Sequence, residues 1–504
     1  MNSTILLVTF LVYTAILFLI AYLTSRKADN SSYFTGNRKS NWFVVAYGMI
    51  GASLSGVSFM SVPGNVYNER FWYLPMLLGF IGGYLIIALV LLPLYFRMNL
   101  TSIYSYLEKR FGICSYKTGA SFFIISRFLG ATVRTFLVVF VLYNFVLIRP
   151  DGSHIMPFWV AAAIFVLIAI LYTLKGGVKT IIWTDTFQTT FMIVAVVLSL
   201  VFICKELGWG FGDMLSNVHS DPHSDIFDTD WSHGTHWLKR FISGLVVPVA
   251  MTGLDQSMIQ KSLSCKNLKE SQKNMMTSVA MMIPVNLLFL IIGAVLAIFM
   301  SNHPELLSSV TKAAGGIEAD KIFPTVALSL KPIVGVIFFI GLISAAYPSC
   351  ANAITSLTTS ASIDLIGMEK KDWDDNKKKN VRQRVNILIS VLFVLMMVAF
   401  NYLKSDSVIN MVYAIASYTY GPLLGLFMYG ILTKKGTNDK AVPFICVLVP
   451  VICYCIQNKV FGWGYDFGFA LILVIAALTF IGMLLFSKKI LKFARIRKTI
   501  CPTL

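Results

Sequence analysis

The chain has 504 residues, 57% of them hydrophobic and 13% charged, with a mean hydropathy of +0.73, a balance that excludes an ordinary soluble enzyme. The net charge of +18 does not point to nucleic acid, because the basic residues are scattered through short loops with no domain large enough to form a groove. No Walker A motif, nucleotide-binding domain or nucleophile elbow occurs, so neither a primary pump nor an enzyme fits.

Apolar runs of about 20 residues recur from end to end, the length an α-helix needs to cross a bilayer; barrel strands would give runs of about 10 alternating residues. The fold class expected is an all-α polytopic membrane protein with about thirteen transmembrane helices.

The first span, 4–24, lacks a basic leader and a small-residue cleavage site, and reads as a retained helix, segment 1–30, outside the core. Spans 40–64, 71–96, 119–148, 155–174 and 180–204 make a first five-helix set, 40–204. The segment 205–236 reads as an outer loop in which His219, His223, His233 and His236 lie beside five aspartates; it is a solvated acidic lid or a weak cation site. A second set, 237–434, holds spans 238–260, 274–301, 330–363, 385–403 and 408–432. Two further spans, 441–457 and 464–487, precede a basic tail, 488–504. Most Lys and Arg residues fall in loops on one side, among them KSLSCKNLKESQK and MEKKDWDDNKKKNVRQR, which predicts the N-terminus outside and the C-terminus inside. The eight cysteines lie in spans or inner loops with no evident outer pair, which suits packing rather than disulfides or a metal.

Chemistry is expected where polar residues enter the spans. In GASLSGVSF, residues 51–59, Gly51, Ser53, Ser55, Gly56 and Ser58 are poor helix formers concentrated in about two turns. That stretch alone allows a broken helix or a close small-residue contact. Span seven carries Pro248, Thr252, Gly253 and Asp255 at its middle, in the corresponding position of the second set. A matched pair of interrupted helices points to a secondary transporter with inverted repeats and a midplane site. Arg127 and Arg134 lie on one face of span four and Asp185 lies deep in span six. The arginines either pair with Asp185 or Asp255, or one of them holds an anionic solute.

The segments ASLSGVSFMSVPGNVY (52–67), GGVKTIIWTDTFQ (176–188), GLISAAYPSCANAITSLTTSASIDL (341–365) and YGPLLGLFMYGILTKKG (420–436) resemble the sodium:solute symporters, the family of the proline permease and of the sodium/galactose, sodium/iodide and sialic acid carriers. The resemblance implies a leucine-transporter fold of 5+5 inverted repeats and Na+ bound between the break in span two and span nine. Its ligands map to Gly51, Leu54, Ala345, Pro348 and Ser349. Such oxygens suit a hard cation. Pro348 and Ser349 stand where family members usually carry two adjacent hydroxyls, so one side-chain ligand is missing; Ser344, a carbonyl or water is left to replace it. A further cation site of some sialic acid carriers would use Asp185 and two serines, but Ala351 and Asn352 stand there, so Asp185 reads as an ion support or relay.

The substrate residues implied are Ser53, Ser55, Ser58 and Arg134, with Thr252 and Asp255 from the second interruption and Met251, Tyr418 and Tyr420 as gate candidates. Hydroxyls with a fork-shaped cation suit a polyhydroxylated acid. The expected function is therefore sodium-coupled symport, by alternating access, of a sialic-acid-like sugar acid or other carboxylate. The alternatives are proton coupling through Asp185 or Asp255, an uncoupled carrier, or a transporter-fold sensor. A multi-pass protein of the plasma membrane, the inner membrane in a bacterium, with solute, sodium and lipid as its partners and no nucleic acid or obligate protein partner, completes the expectation.

Overall fold

The computed structural model describes residues 3–25, 40–98, 102–149, 151–173, 177–312, 316–368, 371–402, 408–458, 460 and 465–488. The basic segments 26–39 and 489–504, with Cys501, lie outside the described residues, as does Gly176. Helix follows helix. α1 (Ser3–Ser25) precedes a bent pair, α2 (Trp42–Ser53) and α3 (Gly56–Glu69), whose axes turn by 58° at the break. Next come α4 (Leu74–Met98), a short α5 (Ser105–Arg110), α6 (Ile113–Val146), α7 (Phe158–Thr173) and α8 (Gly177–Glu206). The outer segment contains α9 (Phe211–Ser220). A second bent pair, α10 (Trp237–Gly253) and α11 (Gln256–Leu263), turns by 73°.

α12 (Leu268–Ser301) is followed by two short helices that sequence reading left as loop, α13 (Pro304–Val310) and α14 (Ala319–Ser329). Then come α15 (Pro332–Leu365), α16 (Asp375–Tyr402), α17 (Val408–Leu432), α18 (Val442–Gln457) and α19 (Leu471–Leu485). The strands among the described residues are one two-residue pair, Gly436–Thr437 with Ser487–Lys488. Among the described residues ten helices are long and apolar enough to cross a membrane, and the bent pairs raise this to twelve. α7 supplies a shorter apolar stretch, Phe158–Leu171.

Burial separates centre from rim. The apolar window of α15 is 78% buried, those of α1 and α16 only 28% and 22%, so α15 is the axis of the bundle while α1 and α16 face lipid. α15 packs on α8 and α6, α8 on α2, α12 on α3, and α4 on α10. Small residues bring α4 and α10 close: a Cβ on Gly79 would lie 2.3 Å from the Phe241 carbonyl, and one on Gly244 would lie 2.1 Å from that of Met76. In lipid, where hydrophobicity does not drive helices together, such backbone contact holds them.

Candidate functional site

The break in the second span decides the site. The last bond of α2 runs from the Leu54 N–H to the Ile50 carbonyl at 2.7 Å, and the first of α3 from the Phe59 N–H to the Ser55 carbonyl at 3.0 Å. The carbonyls of residues 51–54 are thus left outside both ladders, as at any helix end. Among the described residues no side chain takes them. At the second break the equivalent groups are used: Tyr95 donates to the Gly253 carbonyl at 2.9 Å and Tyr104 to that of Leu254 at 2.8 Å. One break is wired shut by tyrosines, and the other keeps its oxygens available.

α15 supplies the opposite wall. A Cβ on Gly341 would lie 2.6 Å from the Phe59 ring, and one on Gly56 would lie 4.0 Å from Leu342, which sets the start of α3 against the turn of α15 just before Ala345. Ser349 Oγ lies 3.4 Å from the Ala345 carbonyl, so these two oxygens are adjacent. Pro348 sits inside α15 and has no N–H, which leaves the Ser344 carbonyl without its helical donor. The Ser344 hydroxyl does not replace the missing ligand, for it is held 2.6 Å from the Ile340 carbonyl and 2.8 Å from the Tyr13 hydroxyl of α1. Proline thus substitutes a freed backbone oxygen for a hydroxyl.

The two breaks and the midsections of α4, α6 and α17 line a cavity of about 100 Å³. Ser53, Ser55, Ser58, Met251, Thr252 and Arg134 all line it. Tyr84 lines the cavity together with Ser53 and Thr252, one from each break. Arg127 and Arg134, as their spacing predicts, share one face of α6, but their surroundings differ. Arg127 lies 3.2 Å from Asp255 Oδ2, and both side chains are buried. Asp255 also caps α11, accepting from the N–H groups of Ser257 at 2.9 Å and Met258 at 3.2 Å, and Tyr420 lies 3.2 Å from its other oxygen. Arg134 makes no ion pair among the described residues. Its guanidinium is half-buried on the cavity wall.

Of the gate candidates, Tyr418 stacks edge-on with Tyr454 at 6.0 Å and does not line the cavity, since it projects from the side of α17 facing α18. The Tyr73 and Tyr413 hydroxyls meet at 2.9 Å, and Tyr73 borders both the main cavity and a smaller outer one holding Glu69 and Arg240. Arg240 bonds Glu69 at 2.6 Å, and Asn410 bonds the other oxygen of Glu69 at 2.9 Å. These residues were not read from the sequence. They sit at helix ends, where a charged or aromatic residue has no periodic signature.

Asp185 does not stand open to an ion. Lys261 Nζ lies 2.6 Å from it and Asn352 Nδ2 3.2 Å, with both charged side chains buried. Sequence reading placed Lys261 in an inner basic loop; it is instead the sixth residue of α11, which continues past the break.

In the outer segment, Asp228 accepts from Thr235 at 2.5 Å and from the Asp230 N–H at 3.1 Å, with His233 at 3.2 Å. Burial would raise its pKa, but these bonds hold it below the usual carboxylate value. Asp230, held by the Ser232 hydroxyl and N–H, is also lowered. Among the described residues no group of three metal-ligating side chains forms, and the described cysteines are free thiols.

Comparison with known proteins fits this geometry. The profile of the sodium:solute symporter family matches residues 33–443. The chain belongs to that family. The symporter is 25% identical over 445 residues to the sodium/sialic acid symporter NanT of Aliivibrio fischeri, covering 85% of this chain and 83% of that one. It is 23% identical to the sodium/sialic acid symporter SiaT of Proteus mirabilis over 87% and 86% of the two chains. A solved structure of a Na+-coupled sialic acid symporter, substrate-bound and outward-open, superposes on the symporter with a TM-score of 0.79 at 21% identity over 96% and 99% of the two chains, a likeness of fold.

Proposed function

We propose that this multi-pass membrane protein is a sodium-coupled symporter importing a sialic-acid-like sugar acid by alternating access. The observation that carries the reading is the first break, whose carbonyls no side chain claims among the described residues, beside a cavity that Arg134 lines without a carboxylate. Sodium ties α2 to α15 through Gly51, Leu54, Ala345 and Ser349, with the carbonyl freed by Pro348 as a further ligand. That fixes the break and orients Ser53, Ser55 and Ser58 toward hydroxyls of the solute. Arg134 takes the carboxylate as a bidentate fork. Met251, Thr252 and Tyr420 close the other side.

Proton coupling is the weaker reading. Both candidate carriers are engaged by fixed cations, Asp255 by Arg127 and Asp185 by Lys261. Counting α7 as a crossing gives thirteen spans, with the N-terminus outside, and the two bent pairs head two five-helix repeats, 40–204 and 237–434. The relatives named above, two sodium/sialic acid symporters, support the choice of solute.

The test is uptake of labelled N-acetylneuraminic acid into proteoliposomes with sodium or choline outside. Accumulation that needs sodium and is lost in Arg134→Gln is expected. Equal uptake in choline, or sodium-dependent uptake indifferent to Arg134, overturns the reading.

A further inference from the structure

The buried charges of the bundle form a pattern that bears on how many ions accompany each solute. Arg127 and Asp255 neutralise one another at 3.2 Å, and Lys261 and Asp185 do so at 2.6 Å. Glu69 is matched by Arg240 at the outer end. Asp364, at the inner end of α15, accepts from Tyr116 at 2.9 Å and lies under Lys117, whose ammonium bonds the Asp364 and Leu365 carbonyls. What remains without an opposite charge at mid-bundle is Arg134. Among the described residues no carboxylate there is open to a mobile cation, and the oxygens left for one are the neutral carbonyl and hydroxyl groups at the first break.

Asp185 is the informative member. It lies on α8 against α2, where its backbone carbonyl would be 3.3 Å from a Cβ on Gly51, one of the residues assigned to sodium. Asn352 of α15 and Lys261 of α11 complete its surroundings, so four helices meet at one carboxylate. A carboxylate at such a junction attracts a cation. Here that cation is an ammonium tethered to the protein, which stays behind when the cargo leaves.

We infer that Lys261 fills the place of a second coupling ion at Asp185, so that the symporter carries one sodium per solute and, with a monoanionic solute, moves no net charge. The second clause rests on the function proposed above; the ion count does not. Without net charge, the membrane potential, worth about 2.3 kcal/mol per charge at 100 mV, does not drive transport. The sodium gradient alone supports accumulation, about tenfold for a tenfold gradient.

The experiment is equilibrium binding of radiosodium to the full purified chain, without solute. Wild type is expected to bind one ion per chain. Lys261→Ala, which leaves Asp185 charged and lets Asn352 turn its amide oxygen inward, is expected to bind two, and its thermal stability is expected to become steeply sodium-dependent. The double variant Asp185→Asn/Lys261→Met, which lacks both charges, returns to one ion and remains decisive if the single variant does not fold. Two ions on wild type, or a Lys261→Ala protein that folds and binds only one, overturns the inference. In proteoliposomes, sodium-driven uptake of N-acetylneuraminic acid is expected to ignore an imposed inside-negative potential. Stimulation by that potential contradicts electroneutrality. One bound sodium with no uptake of this acid defeats the solute assignment and leaves the ion count standing.

Discussion

Arg127 lies 3.2 Å from the carboxylate of Asp255, while Arg134, on the same face of α6, reaches the cavity with no carboxylate beside it. The two arginines therefore fail in different ways when neutralised. Arg127→Gln leaves a buried aspartate uncompensated and is expected to cost about 3–5 kcal/mol of stability, read as a fall in unfolding temperature. Arg134→Gln removes a charge-assisted bond worth about 1.5–3 kcal/mol. It is expected to weaken binding of an acidic sugar roughly 10- to 100-fold with little change in melting, as calorimetry would show.

Gly51 is required for space. An alanine Cβ there would lie 2.1 Å from Thr189 Oγ1, which is itself held 2.7 Å from the Asp185 carbonyl. Gly51→Ala is expected to cost about 1–3 kcal/mol and to weaken sodium binding, since the end of α2 must move. Adding Thr189→Ala makes room and is expected to recover most of the stability, measured by thermal unfolding in sodium.

The Tyr73 and Tyr413 hydroxyls meet at 2.9 Å where the main cavity borders the smaller one, and this bond is expected to keep that passage closed. Tyr413→Phe removes about 0.5–1.5 kcal/mol from the closed state, which corresponds to roughly 2- to 10-fold more opening. The check is the rate at which an impermeant thiol reagent reaches a cysteine placed at Ser53, which is expected to rise by that factor.

Asp320 makes docking of the outer hairpin sensitive to pH. It accepts from Ser61 of α3 and from the Val408 N–H at 2.9 Å, and burial pushes its carboxyl up to about 6 against those two hydrogen bonds. The docked form thus holds a proton more tightly than the free chain, whose carboxyl titrates near about 3.9. Docking gains stability as pH falls from about 6 toward 4 and is weakest above 6. Amide exchange across 319–329, corrected for intrinsic rate, is expected to slow over that window in wild type and to lose the pH dependence in Asp320→Asn.

The first stretch alone left a broken helix and a small-residue contact equally open, the matching interruption at Pro248–Asp255 favoured breaks, and both proved to be bends, of 58° and 73°. The Arg127–Arg134 face followed from helical periodicity. Lys261 did not, because a lysine seven residues after Pro-Val-Ala-Met-Thr-Gly-Leu looks like the start of a loop unless the second half-helix is known to continue. Tyr73 with Tyr413, Glu69 with Arg240 and Asp185 with Lys261 join residues distant in the chain. No local spacing encodes such pairs, and only packing reveals them. Pro348 shows the reverse: its identity signalled a lost hydroxyl, whereas its place inside α15 supplies a freed carbonyl.

The most direct test of a sodium site at the first break is thermal unfolding of the purified protein in sodium chloride and in choline chloride at equal ionic strength, beside Ser349→Ala. An ion at about 100 times its dissociation constant stabilises the folded state by about 2.7 kcal/mol. The account predicts a sodium-specific rise in unfolding temperature that Ser349→Ala reduces or abolishes. Equal unfolding temperatures in the two salts, or an undiminished sodium effect in Ser349→Ala, would contradict it.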